Sequence, residues 1–200
     1  MVMRPSLSSP VEMALRTGDE GLIVKALRHS RDDVGQHDRS AVVEEALTLL
    51  RTTPSSRVRN AAALVLTDLN ADSAGENIIE VLRRPDVAGS SGTLLFALNE
   101  IGASIPLSLL VSLVEHGSFE DCAEALIFME EGRITHVDET GLQTARQTFE
   151  KLTGQEGHAE GAEAAQQALV YLDKLRRTRK VLRNPPQLPR RNTGFSRDRG

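Results

Sequence analysis

The stretch Ser56-Arg57-Val58-Arg59-Asn60-Ala61-Ala62-Ala63-Leu64-Val65-Leu66-Thr67-Asp68-Leu69 decides the fold. At about 100° per residue, Val58, Ala61, Ala62, Val65, Leu66 and Leu69 fall on one side of a helix, and the alanines along that side let a neighbouring helix come close. The same face returns 32 residues later, with Leu94, Ala97, Leu98 and Ile101 in place of Ala62, Val65, Leu66 and Leu69. A further shift of 29 residues places Ala123, Leu126 and Ile127 on it, but Glu130 falls on the last apolar position, so the third copy reads as eroded. Between the copies lie two more helical stretches. Residues 74–84 point Ile78, Ile79 and Leu82 inward and stop at Pro85; residues 104–114 carry Pro106 in the first turn, where a missing N–H is tolerated. A helix-turn-helix unit therefore recurs about every 30 residues over 55–131, the signature of a stacked repeat.

Working outward, the amino-terminal side continues the pattern. Pro10 opens a short helix over 11–17 after a capping Ser9, and Gly18 closes it. Leu22, Ile23, Ala26 and Leu27 form the next apolar face, a polar loop spans 30–39, and Ser40 caps a helix with Val42, Val43, Ala46, Leu47, Leu49 and Leu50 inside. Pro54 ends it by pushing Thr53 out of helical geometry. On the carboxyl side, residues 133–139 read as a polar connection. A helix near 139–152 buries Leu142, Ala145, Phe149 and Leu152, and glycines at 154–157 break it. An alanine-rich helix over 158–182 then brings Ala164, Ala165, Ala168, Leu169, Leu172, Leu175 and Leu182 to bear, placed to cover the end of the stack. The Asn184-Pro185-Pro186-Gln187-Leu188-Pro189 run ends regular structure, and the arginine- and proline-rich remainder is expected to be disordered.

The unit resembles a HEAT repeat, a pair of antiparallel helices stacked into a solenoid. Ile105-Pro106-Leu107 through Leu113 resembles its first helix, and Val58-Arg59-Asn60-Ala61-Ala62 through Leu69 its second, with residues 40–131 covered. Armadillo-like stacking is the close relative of the same architecture. HEAT repeats pair an aspartate in the turn with an arginine early in the second helix. Here Arg59 has no aspartate in residues 52–56, and Asp86 stands in such a turn with Ser91 where the arginine would be. The expected architecture is all-α: a leader over 1–10, a helical-repeat domain over 11–182 and a basic tail over 183–200.

Composition narrows the function classes. The chain has 200 residues, 40% of them apolar, enough for one sizeable domain. Its single cysteine, Cys122, forms no intramolecular disulfide and reads as packing, which suits a reducing, cytoplasmic setting. No window approaches the roughly 18 apolar residues of a membrane span, and the amino-terminal residues lack a hydrophobic leader core. Charge is divided unevenly. Residues 174–200 carry ten basic side chains against Asp198 alone, while 1–173 carry 14 basic against 27 acidic.

Chemistry-bearing motifs are sparse. His29, His37, His116, His136 and His158 are scattered, and His136-x-Asp138-Glu139 has no second pair to close a metal site. The His-Glu dipeptides that di-iron hydroxylases on helical repeats use are absent, and nothing marks a chromophore pocket of the bilin-lyase kind, the third-ranked reading. Gly89-Ser90-Ser91-Gly92 precedes a helix but lacks the lysine and preceding strand of a phosphate loop, so it reads as an ordinary helix start. No catalytic residue, cofactor or metal is expected. Two binding readings follow instead. In the first, outward positions of the second helices, Arg59, Asn60, Ala63, Thr67, Leu95, Asn99, Glu120, Glu124 and Phe128, line a concave face for a protein with a basic patch. In the second, Lys174, Arg176, Arg177, Arg179, Lys180, Arg183, Arg190 and Arg191 hold nucleic acid or an acidic surface, or fold back on the acidic body.

Overall fold

A computed structural model describes residues 9–33, 35, 38–154 and 159–183, the side chains of 159, 160 and 178–183 excepted. The described residues are overwhelmingly helical: α1 (Pro10–Thr17), α2 (Glu20–Asp32), α3 (Arg39–Thr52), α4 (Ser56–Asp68), α5 (Ala74–Leu82), α6 (Gly92–Glu100), α7 (Leu107–His116), α8 (Phe119–Glu130), α9 (Glu139–Thr153) and α10 (Ala159–Arg183). The leader 1–8, the loop residues 34, 36 and 37, His158 and the tail 184–200 lie outside the described residues.

Local chemistry fixes most helix ends. Side chains of Ser9, Asp19, Asp38, Ser55 and Asp138 each accept a backbone N–H from the first turn of the following helix, satisfying donors that have no partner inside it. The cap of α3 is thus Asp38 and not Ser40, which itself bonds to Asp38. Pro106 is not in the first turn of α7 but before it. Ile105–Pro106 (β1) pairs in parallel with Ile134–Thr135 (β2), so the expected polar connection after α8 is tied back by a short bridge, with Ile105 donating to the Arg133 carbonyl at 3.0 Å.

Consecutive helices pair as α1 with α2, α3 with α4, α5 with α6, α7 with α8 and α9 with α10. The second member of each pair also packs against the second member of the next, from α2 through α4, α6 and α8 to α10; among first members, α3 packs on α5 and α7 on α9. One core of aliphatic residues, from Val11 to Leu172, runs through all of these contacts. Helices this short are marginal alone, so burial of their apolar faces against neighbours on both sides supplies their stability.

The ends of α4, α6 and α8 set the register of the repeat. Residues Asn70, Gly102 and Gly132 adopt positive φ of 46°, 68° and 70°. The next residue in each case, Ala71, Ala103 or Arg133, donates its N–H back to the carbonyl of Leu66, Leu98 or Phe128. These are left-handed helix stops, and they make Leu66, Leu98 and Phe128 equivalent. The second interval is therefore 30 residues, not 29. One residue rotates a helix by about 100°, and the consequence is visible. The buried face of α8 is Cys122, Ala125, Phe128 and Met129, whereas Ala123 and Ile127 are exposed and Leu126 is half-buried. In the corrected register Glu130 matches Glu100 and Asp68, all exposed, and the last apolar position, Leu69 and Ile101 in the earlier copies, falls on the exposed Glu131, so the third copy is eroded one residue later than expected.

Arginines tie helix ends together, two of them between pairs and Arg39 within the α3–α4 pair. Arg84 donates to the Arg51 carbonyl at the end of α3 (2.7 Å), Arg133 to the Ala103 carbonyl after α6 (2.9 Å), and Arg39 to the Leu69 carbonyl at the end of α4. Each places a cation at a neighbouring helix carboxyl terminus, where the orphan carbonyls and the helix dipole favour it. Arg133 also lies 4.8 Å from the centroid of the Phe128 ring, within cation–π range.

Candidate functional site

The residues expected to form the binding face divide sharply. Arg59, Ala63, Leu95 and Phe128 are fully buried and face the stack, not a partner. The reason is packing on two sides. α4, α6 and α8 each meet their pair partner and the second helix of an adjacent pair, so the positions that a single hairpin would leave open are covered. Asn60 and Thr67 are half-buried, and the Thr67 hydroxyl donates to the Ala63 carbonyl of its own helix at 3.0 Å. Asn99 and Glu124 are brought together: Asn99 Nδ2 donates to Glu124 Oε2 at 2.6 Å, while Asn99 Oδ1 accepts from Arg133. Glu120 is exposed and lies against Gly92, its Oε2 only 3.0 Å from where a Cβ would stand.

The arginine–aspartate pair that each turn lacks is completed between turns. Arg59 in α4 reaches the turn before α6, with Nη1 3.9 Å from Asp86 Oδ2 and Nη2 donating to Ser90 Oγ at 3.0 Å. Arg84 holds the same Asp86 carboxylate at 2.6 Å and 3.0 Å, which keeps it below the usual carboxylate range; the more distant Arg59 adds to this. Burial pushes the Arg59 guanidinium down from its ordinary value, and Asp86 opposes the shift.

The surface that remains open on the second helices has a repeating composition. Counting back from the helix stops, Leu64, Phe96 and Leu126 occupy one equivalent position, and Asp68, Glu100 and Glu130 occupy the position one turn later. Phe96 is 46% exposed and Ile127, beside Leu126, is 38% exposed; Leu64 and Leu126 are half-buried. Phe96 lies in solvent, because the adjacent Leu95 takes the inter-helix position. Acidic side chains surround the apolar positions: Glu100, Glu120 and Glu130 are exposed, Glu124 half-buried. Asp68 differs in being held by Arg31 of α2 at 2.7 Å; the Arg31 pKa is raised by its hydrogen bond to Asp32 first and to Asp68 second. Leu64, Asp68, Arg28 and Arg31 line a shallow pocket between α2 and α4. Sequence reading missed this row because a register error of one residue in the third copy hides the recurrence of Asp68, Glu100 and Glu130.

Elsewhere, Leu22 was expected to be buried but is exposed with Met13. Both line a groove of about 620 Å³ between α1 and α2. Of the basic set, Lys174, Arg176 and Arg177 are exposed on α10, with Arg176 paired to Glu139 at 2.7 Å. The side chains of Arg179, Lys180 and Arg183, and all of Arg190 and Arg191, lie outside the described residues. Cys122 is buried with its Sγ 3.7 Å from the Leu113 carbonyl oxygen. Among the described residues no group of three or more His, Cys, Asp or Glu could hold a metal ion, and no helix is long and apolar enough to cross a membrane.

No protein-family model matches the chain, and neither the curated proteins nor the solved structures contain a match to it.

Proposed function

We propose that this chain is a non-catalytic, HEAT-like α-solenoid that works in the cytoplasm by capturing another protein along its second helices. Support for the stacking comes from the succession of α2, α4, α6, α8 and α10, each packed on the next. The observation that carries the binding role is the double row: apolar Leu64, Phe96 and Leu126, and acidic Asp68, Glu100 and Glu130 one turn along. Exposed aromatic and aliphatic residues ringed by charge are what protein interfaces use as anchors and rim. Packed helices lie about 8–10 Å apart, and an extended strand advances about 3.3 Å per residue. An extended segment crossing the row would thus meet one helix about every three residues. The partner that fits is an unfolded or edge segment with arginine or lysine and an apolar residue repeating at that interval. Charge complementarity steers it and sets its orientation.

The test is titration of the purified full chain with a synthetic peptide of repeating Arg-Leu-Ser units, followed by amide resonances. Saturable shifts confined to α4, α6 and α8, lost in Phe96→Ser and in the double change Glu100→Lys with Glu130→Lys, are the expected outcome. Equal binding by wild type and the charge-reversed variant would remove the row from the account. Loss of binding on deleting residues 184–200 would move the function to the basic tail.

A further inference from the structure

The turn before α6 holds a charged group whose hydrogen bonds are incomplete. Arg59 is 0% exposed, yet among the described residues only Nη2 has a hydrogen-bond partner, the Ser90 hydroxyl; Nε and Nη1 have none there, Asp86 being 3.9 Å from Nη1. A buried guanidinium that lacks partners for two of its nitrogens is unfavourable unless something completes its shell. The loop it points into, Gly89-Ser90-Ser91-Gly92, leads directly to the amino terminus of α6, and no side chain caps that helix. Gly89 has φ of 76°, which an L side chain rarely adopts, and Gly92 adds no side chain of its own to the first turn, where Glu120 of α8 rests against it. The N–H groups at the start of α6 therefore face outward with the positive end of the helix dipole.

We propose that this loop is a binding site for a dianionic phosphate group, held by the first-turn N–H groups of α6, with Arg59 as the buried countercharge; the Ser90 hydroxyl, which accepts from Arg59 and donates to the Val87 carbonyl at 3.1 Å, ties that charge to the loop. Helix amino termini with small residues accept phosphate by this combination of aligned donors and dipole. Arg59 separates the loop from an ordinary helix start, because it brings a full positive charge beneath it. Two carboxylates oppose the ligand. Asp86 is already neutralised by Arg84 at 2.6 Å. Glu120 rests against Gly92 from α8 and occupies the approach, so a phosphate would displace it. The site is separate from the apolar and acidic row, and a ligand here would stiffen the contact between α4 and α6.

Titration of the ¹⁵N-labelled full chain with sodium phosphate, against sodium chloride at equal ionic strength, tests the proposal. Saturable movement of the Gly92, Thr93 and Leu94 amides at millimolar phosphate is expected. Glu120→Gln should tighten binding about two- to fivefold, the effect of removing one like charge from a helix terminus. Arg59→Met should weaken it, since it keeps the volume but removes the countercharge beneath the loop, and a variant that folds and binds as wild type overturns the role of Arg59. If Arg59→Met does not fold, the wild type and Glu120→Gln decide. Amides that stay in place, or follow chloride equally, overturn the proposal, as does an unchanged affinity in Glu120→Gln.

Discussion

Equivalent positions in α4 and α8 carry opposite charges, Arg59 and Asp121, and both are fully buried. Their solutions differ in range. Asp121 bonds only within its own helix start: its Oδ2 accepts the Ser118 N–H at 2.9 Å and its N–H donates to Ser118 Oγ at 3.2 Å, a reciprocal capping box, while its Oδ1, like Arg59 Nε and Nη1, has no hydrogen-bond partner among the described residues. Arg59 reaches out of its own pair to Ser90 and toward Asp86 in the next. A short acidic side chain can close a local loop, whereas a long guanidinium spans the gap between successive pairs. The lesson is that one buried position serves local capping in one repeat and cohesion between repeats in another. Ser91 fills the same position in α6, buried and uncharged, between the two.

The first way to break the comparison is to break the register on which it rests. Phe128→Ala should cost about 3–5 kcal/mol in chemical denaturation, and Ile127→Ala less than about 1 kcal/mol. The reverse ranking would restore the 29-residue interval and separate Asp121 from Arg59. Next, Arg59→Ala should lose about 2–5 kcal/mol through the cavity it leaves. Arg59→Met, keeping volume while removing a desolvated charge, should fall close to wild type; a Met variant as weak as Ala would mean that the ion pair, not packing, holds α4 to α6. For Asp121→Ala the expected loss is about 1 kcal/mol, the range of a helix cap, with Asp121→Asn retaining much of it. A loss above that of Arg59→Ala would invert the local and long-range assignments.

Acid titration sharpens the long-range side. The Asp86 carboxyl is held below its usual range chiefly by Arg84, so its contribution is fully present above the ordinary carboxylate pKa and disappears as pH falls through the lowered value. Asp86→Asn should flatten the acid limb of the stability–pH curve, whereas an unchanged limb would detach Asp86 from the interface. The smallest effect on stability is expected at Phe96: Phe96→Ser should stay within about 0.5 kcal/mol. If it unfolds the protein, the exposed row is structural and the binding proposal fails.

Much of the architecture was legible in sequence because helix periodicity and stop signals are local. Val58 through Leu66, the capping Ser9 and the 32-residue interval all emerge from sequence patterns, whereas the cap expected at Ser40 is Asp38. The binding face was less legible. Leu95 and Phe96 are adjacent and apolar, and only the position of α6 between α4 and α8 buries one and exposes the other. The second interval failed because Ala123, Leu126 and Ile127 imitate the apolar spacing one residue early, whereas the face that α8 buries is Cys122, Ala125, Phe128 and Met129, packed against α6, α7 and α10.

By itself the sequence determined that the chain forms amphipathic helices, roughly where most of them lie, and that charge is divided between an acidic body and a basic end. Those properties follow from backbone dihedrals, capping groups and apolar spacing, all settled within a few residues. The tertiary structure decided which face of each helix is doubly covered, which arginines cross between pairs, and how Arg59 comes to lie under the start of α6. These depend on contacts some 30 residues apart in the chain, as between Arg59 and Ser90. A one-residue change in register there exchanges a buried side chain for an exposed one.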